Sequence, residues 1–352
     1  MKVGIIGPAG SGKTTLFNAL TGMDVQTAGG RKTHLAVVKV PDPRLEKVAE
    51  TTKSEKIVPA EISFSDVAGG LGKPSKDRGI EPKLLNLMQA MEAFAMVVAD
   101  FDEYVRPGDG EPDPYADAIE LEADLVLADM VVIEEKLARM AKENATGIER
   151  DTLEKCRTHL EKELPLRTLD LNQDEVKAIS SYGFLSLKKG VLIQNIGEGG
   201  LGKTHSEKIE EFAKTRQLRY MTITAKLQME IAQMEPDERA EYIDAMELEG
   251  LALDRFIREV FSALDLICFF TVAGSSKEAH AWTIKRGATA LEAAGRVHTD
   301  MQRGFIRAEV AGAEDFVALG GETEARQAGK IKSEGKEYIV QDGDVILFRF
   351  NV

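Results

Sequence analysis

Gly7-Pro8-Ala9-Gly10-Ser11-Gly12-Lys13-Thr14 is the stretch whose residue types and spacing carry the most chemistry. Gly, four residues, then Gly-Lys-Thr is the spacing of a phosphate-binding loop. The apolar run Lys2–Ile6 precedes it and Thr15-Leu16-Phe17-Asn18-Ala19-Leu20 follows, which reads as buried strand, loop and helix. Gly7, Gly10 and Gly12 let the backbone curl until successive N–H groups, those of Ser11, Lys13, Thr14 and Thr15 among them, point at phosphate oxygens. The following helix start favours anions through its unpaired N–H groups and its dipole. Lys13 supplies a mobile charge for β- and γ-phosphates, and the Thr14 hydroxyl is a hard oxygen ligand suited to magnesium.

Two further stretches extend this chemistry. Glu61–Asp66 alternates as a strand and ends in Asp66-Val67-Ala68-Gly69. An aspartate there can hold magnesium through water, and the Gly69 N–H can sense a γ-phosphate. No glutamine follows to orient an attacking water; Gly70 stands in that place, so basal hydrolysis is expected to be slow. A polar loop, Gly22 to His34, offers Thr27 and Thr33 as switch threonines without choosing between them. Later, Asn195-Ile196-Gly197-Glu198 closes an apolar strand where a guanine-specific site would show Asn-Lys-x-Asp. Asn195 would meet the base edge and the neighbouring strand. Glu198 is one methylene longer than aspartate, and Ile196 has no lysine stem to lay on a base, so the pocket suits adenine as well as guanine. Ala225, after the strand Arg219–Ile223, is expected to offer a backbone N–H to the base rim.

The elements that must position these residues form an α/β chain. Apolar strands are expected at 35–40, 61–66, 95–101, 190–194 and 219–223, with helices at 44–51, 84–94 and 237–261. The Gly/Pro/Asp-rich stretch 107–114 marks a boundary. Beyond it, Ile119, Ala123, Val126, Met130, Ile133, Leu137 and Met140 step by four and three, the seam of a coiled coil. Leu153, Cys156, Leu160 and Leu164 carry a second amphipathic helix, so an antiparallel helical hairpin is expected. From Leu266 onward, strands around the single helix 290–303 suggest a compact β-grasp module. There, 338–340 and 345–350 would pair as a tight hairpin.

At 352 residues the chain can hold two or three domains. It carries 45 basic against 59 acidic residues, a net charge of -14, which opposes non-specific nucleic-acid binding and argues against DNA as a partner. From Cys268 onward, 11 basic face 12 acidic residues, so that end meets the least repulsion from RNA. The two cysteines, Cys156 and Cys268, lack metal-ligand spacing, which fits a reducing cytoplasm. No apolar stretch approaches a signal peptide or a membrane span.

Taken together these residues resemble the Obg-like ATPase family, the YchF branch of the translation-factor-related P-loop NTPases. The resemblance rests on the phosphate loop with Thr15–Thr21, Pro41-Asp42-Pro43-Arg44-Leu45, Asp66–Gly69, the inserted hairpin and Asn195-x-x-Glu198. It is densest in Ala281–Ile284, Gly287–Ala290, His298-Thr299-Asp300, Gly304–Ala308 and Tyr338–Val345. It implies a P-loop NTPase domain of G-protein-like type (1–113 and 185–266), a coiled-coil insertion (114–184) and a C-terminal TGS domain (267–352). It implies slow magnesium-dependent hydrolysis of ATP, with GTP as an alternative, and association with ribosomes. Lys13 and Gly69 would act in turnover; Thr14 and Asp66 would hold the metal. Two residues depart from the family's pattern: Gly10 stands where an asparagine is usual, and Gly70 where a large apolar residue is usual. They make this a divergent member and motivate one alternative, a nucleotide-binding module without hydrolysis; Asn195-x-x-Glu198 leaves another, a GTP-specific enzyme. A small-molecule phosphotransferase shares the loop pattern but would need an arginine-rich lid that this sequence lacks.

Overall fold

The computed structural model describes residues 1–23, 25, 33–67, 80–106, 110–200, 207–245, 252–272 and 278–351. In chain order the first elements are β1 (Lys2–Ile6), α1 (Lys13–Thr21), β2 (His34–Lys39), α2 (Pro43–Thr51), β3 (Lys56–Val58), β4 (Glu61–Asp66), α3 (Pro82–Gln89) and β5 (Ala93–Asp100). Then come α4 (Pro114–Lys142), α5 (Ile148–Leu160), α6 (Gln173–Ile179), β6 (Lys189–Ile196), α7 (Glu207–Thr215), β7 (Arg219–Ile223), α8 (Ala225–Gln233), α9 (Pro236–Ala245) and α10 (Ala252–Ala263). The last are β8 (Leu266–Val272), β9 (Glu278–Lys285), α11 (Ala290–Val297), α12 (Thr299–Arg303), β10 (Phe305–Gly312), α13 (Ala313–Leu319), α14 (Glu322–Gln327), β11 (Lys332–Glu334) and β12 (Asp344–Phe350). None of the described helices is long and apolar enough to cross a membrane.

The chain forms two compact units, Met1–Val38 with Ser63–Ala263, and Lys39–Ile62 with Leu264–Val352. The first is built on a sheet of order β2-β4-β1-β5-β6-β7. From β4 to β7 the strands are parallel. Parallel strands are covered on both faces, which is why β5 and β6 read as unbroken apolar runs and are buried almost throughout. Such a sheet gathers its ligand-facing loops at the carboxyl ends of the strands. Met88, Phe94, Leu121, Leu125 and Leu192 lie in one of its cores. Each fully buried side chain of this size contributes about 2 kcal/mol. The expected helix 84–94 ends at Gln89, because Phe94 is needed in β5.

The hairpin differs from its expected seam. Val126, Ile133, Leu137 and Met140 of α4 are buried against Leu153, Cys156 and Leu160 of α5. Toward the start of α4, Ile119 is 41% exposed and Ala123 is exposed as well; Ala118, Leu121 and Leu125 face inward instead. The apolar face is rotated there because the partner at that end is the sheet and α7, not α5. Asp129 marks the changeover. Its buried carboxylate accepts from Leu185 N (2.7 Å), Ser186 N (2.7 Å) and Ser186 Oγ (2.6 Å), fixing the approach to β6.

In the second unit the sheet order is β11-β10-β12-β8-β9-β3, with Ala290, Ala293 and Ala294 of α11 against Phe269, Ile284 and Ile346. The segment 39–62, read from sequence as part of the nucleotide-binding stretch 1–113, groups with this unit. β3 runs parallel to β9, Lys56 Nζ pairs with Glu278 (2.9 Å), and Arg44 joins Asp42 (2.8 Å) to Asp342 (2.9 Å). The expected hairpin of 338–340 with 345–350 is absent among the described residues. β12 pairs with β10 and β8, while Ile339 makes only an isolated bridge to Thr289. Asp344 explains the difference: its carboxylate accepts from Gln341 N (2.8 Å) and the Tyr338 hydroxyl (2.9 Å), closing a turn rather than a ladder.

Glu309 on β10 is buried among Arg349 (2.8 Å), Arg326 (2.8 Å) and Arg307 (3.1 Å). Hydrogen bonds from Arg349, then from Arg326, hold its carboxyl down at about 2. A depressed carboxylate pKa gives stability that is complete above the unfolded value, about 4.3, and is lost as pH falls toward 2. Acid unfolding followed by circular dichroism should therefore show Glu309→Gln less stable than wild type at pH 7, the gap closing between pH 4 and pH 2. A gap independent of pH would contradict this reading.

Candidate phosphate-binding site

The site lies at the carboxyl end of β1, where the chain turns through Gly7–Gly12 into α1. Gly7 passes under β5 so closely that a Cβ there would lie 2.1 Å from the Val97 carbonyl oxygen. Gly12 caps α1 with φ 93°, and a Cβ there would lie 2.1 Å from Asn195 Nδ2. No other residue fits either place.

Lys13 is nearly buried, and its Nζ donates to the carbonyls of Gly7 (2.9 Å) and Pro8 (2.6 Å). Burial pushes its pKa down to about 8, offset in part by the Asp66 carboxylate. Thr14 Oγ1 donates to Asp66 Oδ2 at 2.8 Å. Asp66 is 3% exposed, yet its Oδ1 has no hydrogen-bond partner among the described residues, and neither has the buried Ser11 Oγ. An unpaired buried carboxylate oxygen is costly. Beside a threonine hydroxyl it is a donor set that fits a hard divalent cation.

Asn195, at the carboxyl end of β6, is buried and makes two bonds. Its Nδ2 donates to the Ser11 carbonyl (3.0 Å) and its Oδ1 accepts from Ala225 N (3.0 Å) at the head of α8. The Ala225 N–H expected at a base rim is therefore spent on Asn195. Glu198 starts a short turn three residues on and is exposed. Thr15 is half-buried in the first turn of α1, and Thr33 is exposed just before β2. Thr27, Gly69 and Gly70 lie outside the described residues.

Tyr104, buried beside Gly10, and its buried partners Asp117 and Arg106 carry no sequence motif. Their one signal was an arginine and an acid flanking a Gly/Pro-rich boundary. A cavity of about 540 Å³ opens elsewhere, near Lys189 and Arg219 at the amino ends of β6 and β7. Arg167 in its wall is already paired with Glu122, the Arg216 carbonyl and the Ser186 carbonyl.

A family model described as a 50S ribosome-binding GTPase matches residues 2–136. A model for the C-terminal part of YchF GTPases, described as a protein of unknown function, matches 266–351. The ribosome-binding ATPase YchF of Haemophilus influenzae is 38% identical over 363 residues, spanning 100% of this chain and 99% of that relative. The chain belongs to the YchF family. The Bacillus subtilis YchF, also named a ribosome-binding ATPase, is 34% identical with 100% of each chain covered. The solved YchF GTPase of Schizosaccharomyces pombe superposes with a TM-score of 0.85 at 26% identity, over 99% of this chain and 97% of that one.

In this YchF chain the Gly12–Asn195 approach can be tested by a double-mutant cycle. Gly12→Ala should destabilise by about 2 kcal/mol or more through strain and clash. Adding Asn195→Ala removes the clashing atom, so the pair should cost less than the sum of the single substitutions in urea unfolding. Strict additivity would show that the two residues do not press on one another.

Proposed function

We propose that this chain binds ATP with magnesium at the Gly7–Thr15 loop and hydrolyses it slowly, with GTP as a second substrate, as a ribosome-associated switch in the cytoplasm. The observation that carries the reading is the meeting of Lys13, Thr14 and Asp66, with one buried carboxylate oxygen left without a partner among the described residues. The names of the relatives, ribosome-binding ATPases, support nucleotide hydrolysis and the ribosome as partner. Two buried, unpaired cysteines are in keeping with a reducing compartment.

Each residue has a stated task. The Lys13 ammonium exchanges its loop carbonyls for β- and γ-phosphate oxygens. The N–H groups of Gly10, Ser11, Gly12, Lys13, Thr14 and Thr15 cradle the phosphates at the start of α1. Thr14 and Asp66 would hold the magnesium ion, which neutralises phosphate charge when bound. Gly69 would present its N–H to the γ-phosphate. Asn195 braces the loop against α8, and Glu198 meets the base edge from its exposed turn. With no lysine stem at position 196 and a longer acid at 198, the base site does not require guanine. The C-terminal unit is read as the TGS module.

Phosphate release from ATP should be slow for the wild-type chain and faster with ribosomes added. Lys13→Ala should lower turnover about 100-fold or more, the scale for losing one charge-stabilising group. Unchanged turnover in that variant would remove this site from the chemistry. Tight binding with no turnover, even with ribosomes, would leave a binding module.

A further inference from the structure

Tyr104 lies just beyond the carboxyl end of β5 and has no part in the phosphate chemistry above. Its ring faces the phosphate loop: a Cβ on Gly10 would lie 3.5 Å from ring Cδ2 and 3.6 Å from Cε2, ordinary van der Waals contact. The Phe101 ring sits nearby at 6.0 Å between centroids. The Tyr104 hydroxyl donates to Asp117 Oδ2 at 3.0 Å. Asp117 belongs to the first turn of α4, and its other oxygen accepts from Arg106 Nε at 2.8 Å. Arg106 also reaches Glu120, one turn further along α4, at 2.6 Å.

These side chains are not surface decoration. Tyr104 is 3% exposed, Asp117 2% and Arg106 7%. A buried ion pair persists only where its geometry is closely fixed and its remaining polar atoms are satisfied. The hydroxyl is one of those satisfying groups, so the Asp117 carboxylate sets where the ring can stand. Between the ring and Gly10 there is room for about one methyl group, so the ring bounds the loop on that side. Phosphate loop, Tyr104, Asp117 and the base of the hairpin thus stand in one line, joined from Tyr104 onward by hydrogen bonds.

We propose that Tyr104 is a positioning residue for nucleotide binding, a strut that couples the phosphate loop to the base of α4. This rests on the nucleotide-binding reading above. The ring shapes the loop that receives the phosphates; the hydroxyl carries the state of that loop to the helix. Coupling of this kind is reciprocal, so whatever grips the hairpin also alters nucleotide affinity.

The two halves of the strut separate in two variants of the full chain, Tyr104→Leu and Tyr104→Phe. Each is titrated with magnesium-ATP by calorimetry, and amide hydrogen exchange in 114–125 is followed with and without the nucleotide. In the wild type, ATP should slow exchange in that first part of α4. Tyr104→Leu should weaken ATP binding about tenfold, within the usual range of coupling between sites. Tyr104→Phe keeps the ring and should restore affinity to within about twofold, since the lost contact is to α4 rather than to the loop. It should no longer transmit the slowing to 114–125. A purely structural tyrosine would not separate affinity from transmission in this way. Should Tyr104→Leu fail to fold, the exchange comparison between wild type and Tyr104→Phe decides alone. Wild-type affinity in Tyr104→Leu, or undiminished slowing in Tyr104→Phe, overturns the strut and leaves the nucleotide reading intact. Failure of the wild-type chain to bind ATP overturns both.

Discussion

Asn195 holds the phosphate loop and the head of α8 together with a single amide. One end donates to the Ser11 carbonyl and the other accepts from Ala225 N. The bridge passes so close to Gly12 that no side chain fits there. A buried amide satisfied at both ends is rigid, and removing either partner would leave a buried polar group unpaired. That bridge holds the turn that leads into α1, where Lys13 and Thr14 stand. The loop is therefore shaped before any phosphate arrives, which lowers the ordering cost of binding.

The order of events at the site follows from charge. Lys13 is buried with two carbonyls as partners, and burial alone would favour its neutral form. Phosphate oxygens are stronger partners for an ammonium than carbonyls are. Asp66 has one oxygen on Thr14 and the other without a partner among the described residues, a donor set that fits a cation. On the proposed reading the site takes an anion and a cation together, as a nucleoside triphosphate with magnesium would present them.

The parts of this arrangement set by local sequence were legible in the chain. A glycine-rich turn before a helix, an aspartate at a strand end and an asparagine at another are short-range patterns, and the parallel sheet follows from its apolar runs. What was not legible depends on partners far apart in sequence. Lys39–Ile62 joins the second unit because β3 pairs with β9 and Arg44 reaches Asp342, 298 positions away. The heptad pattern of α4 gave the hairpin but not its change of face, since period says nothing of which neighbour takes over at each end. Tyr104 and Asp117 carry no motif; only the fold sets a tyrosine between Gly10 and a helix start.

The most direct measurement is an equilibrium titration of the full chain with fluorescent ATP and GTP analogues in magnesium, each competed by the unlabelled nucleotide. Both should bind, ATP more tightly, with a tenfold preference corresponding to about 1.4 kcal/mol, the scale of one or two base-edge hydrogen bonds. Tighter binding of GTP would mean that Glu198 reads the guanine edge, contradicting the base assignment. Binding of neither would leave the fold standing and contradict the account of the site.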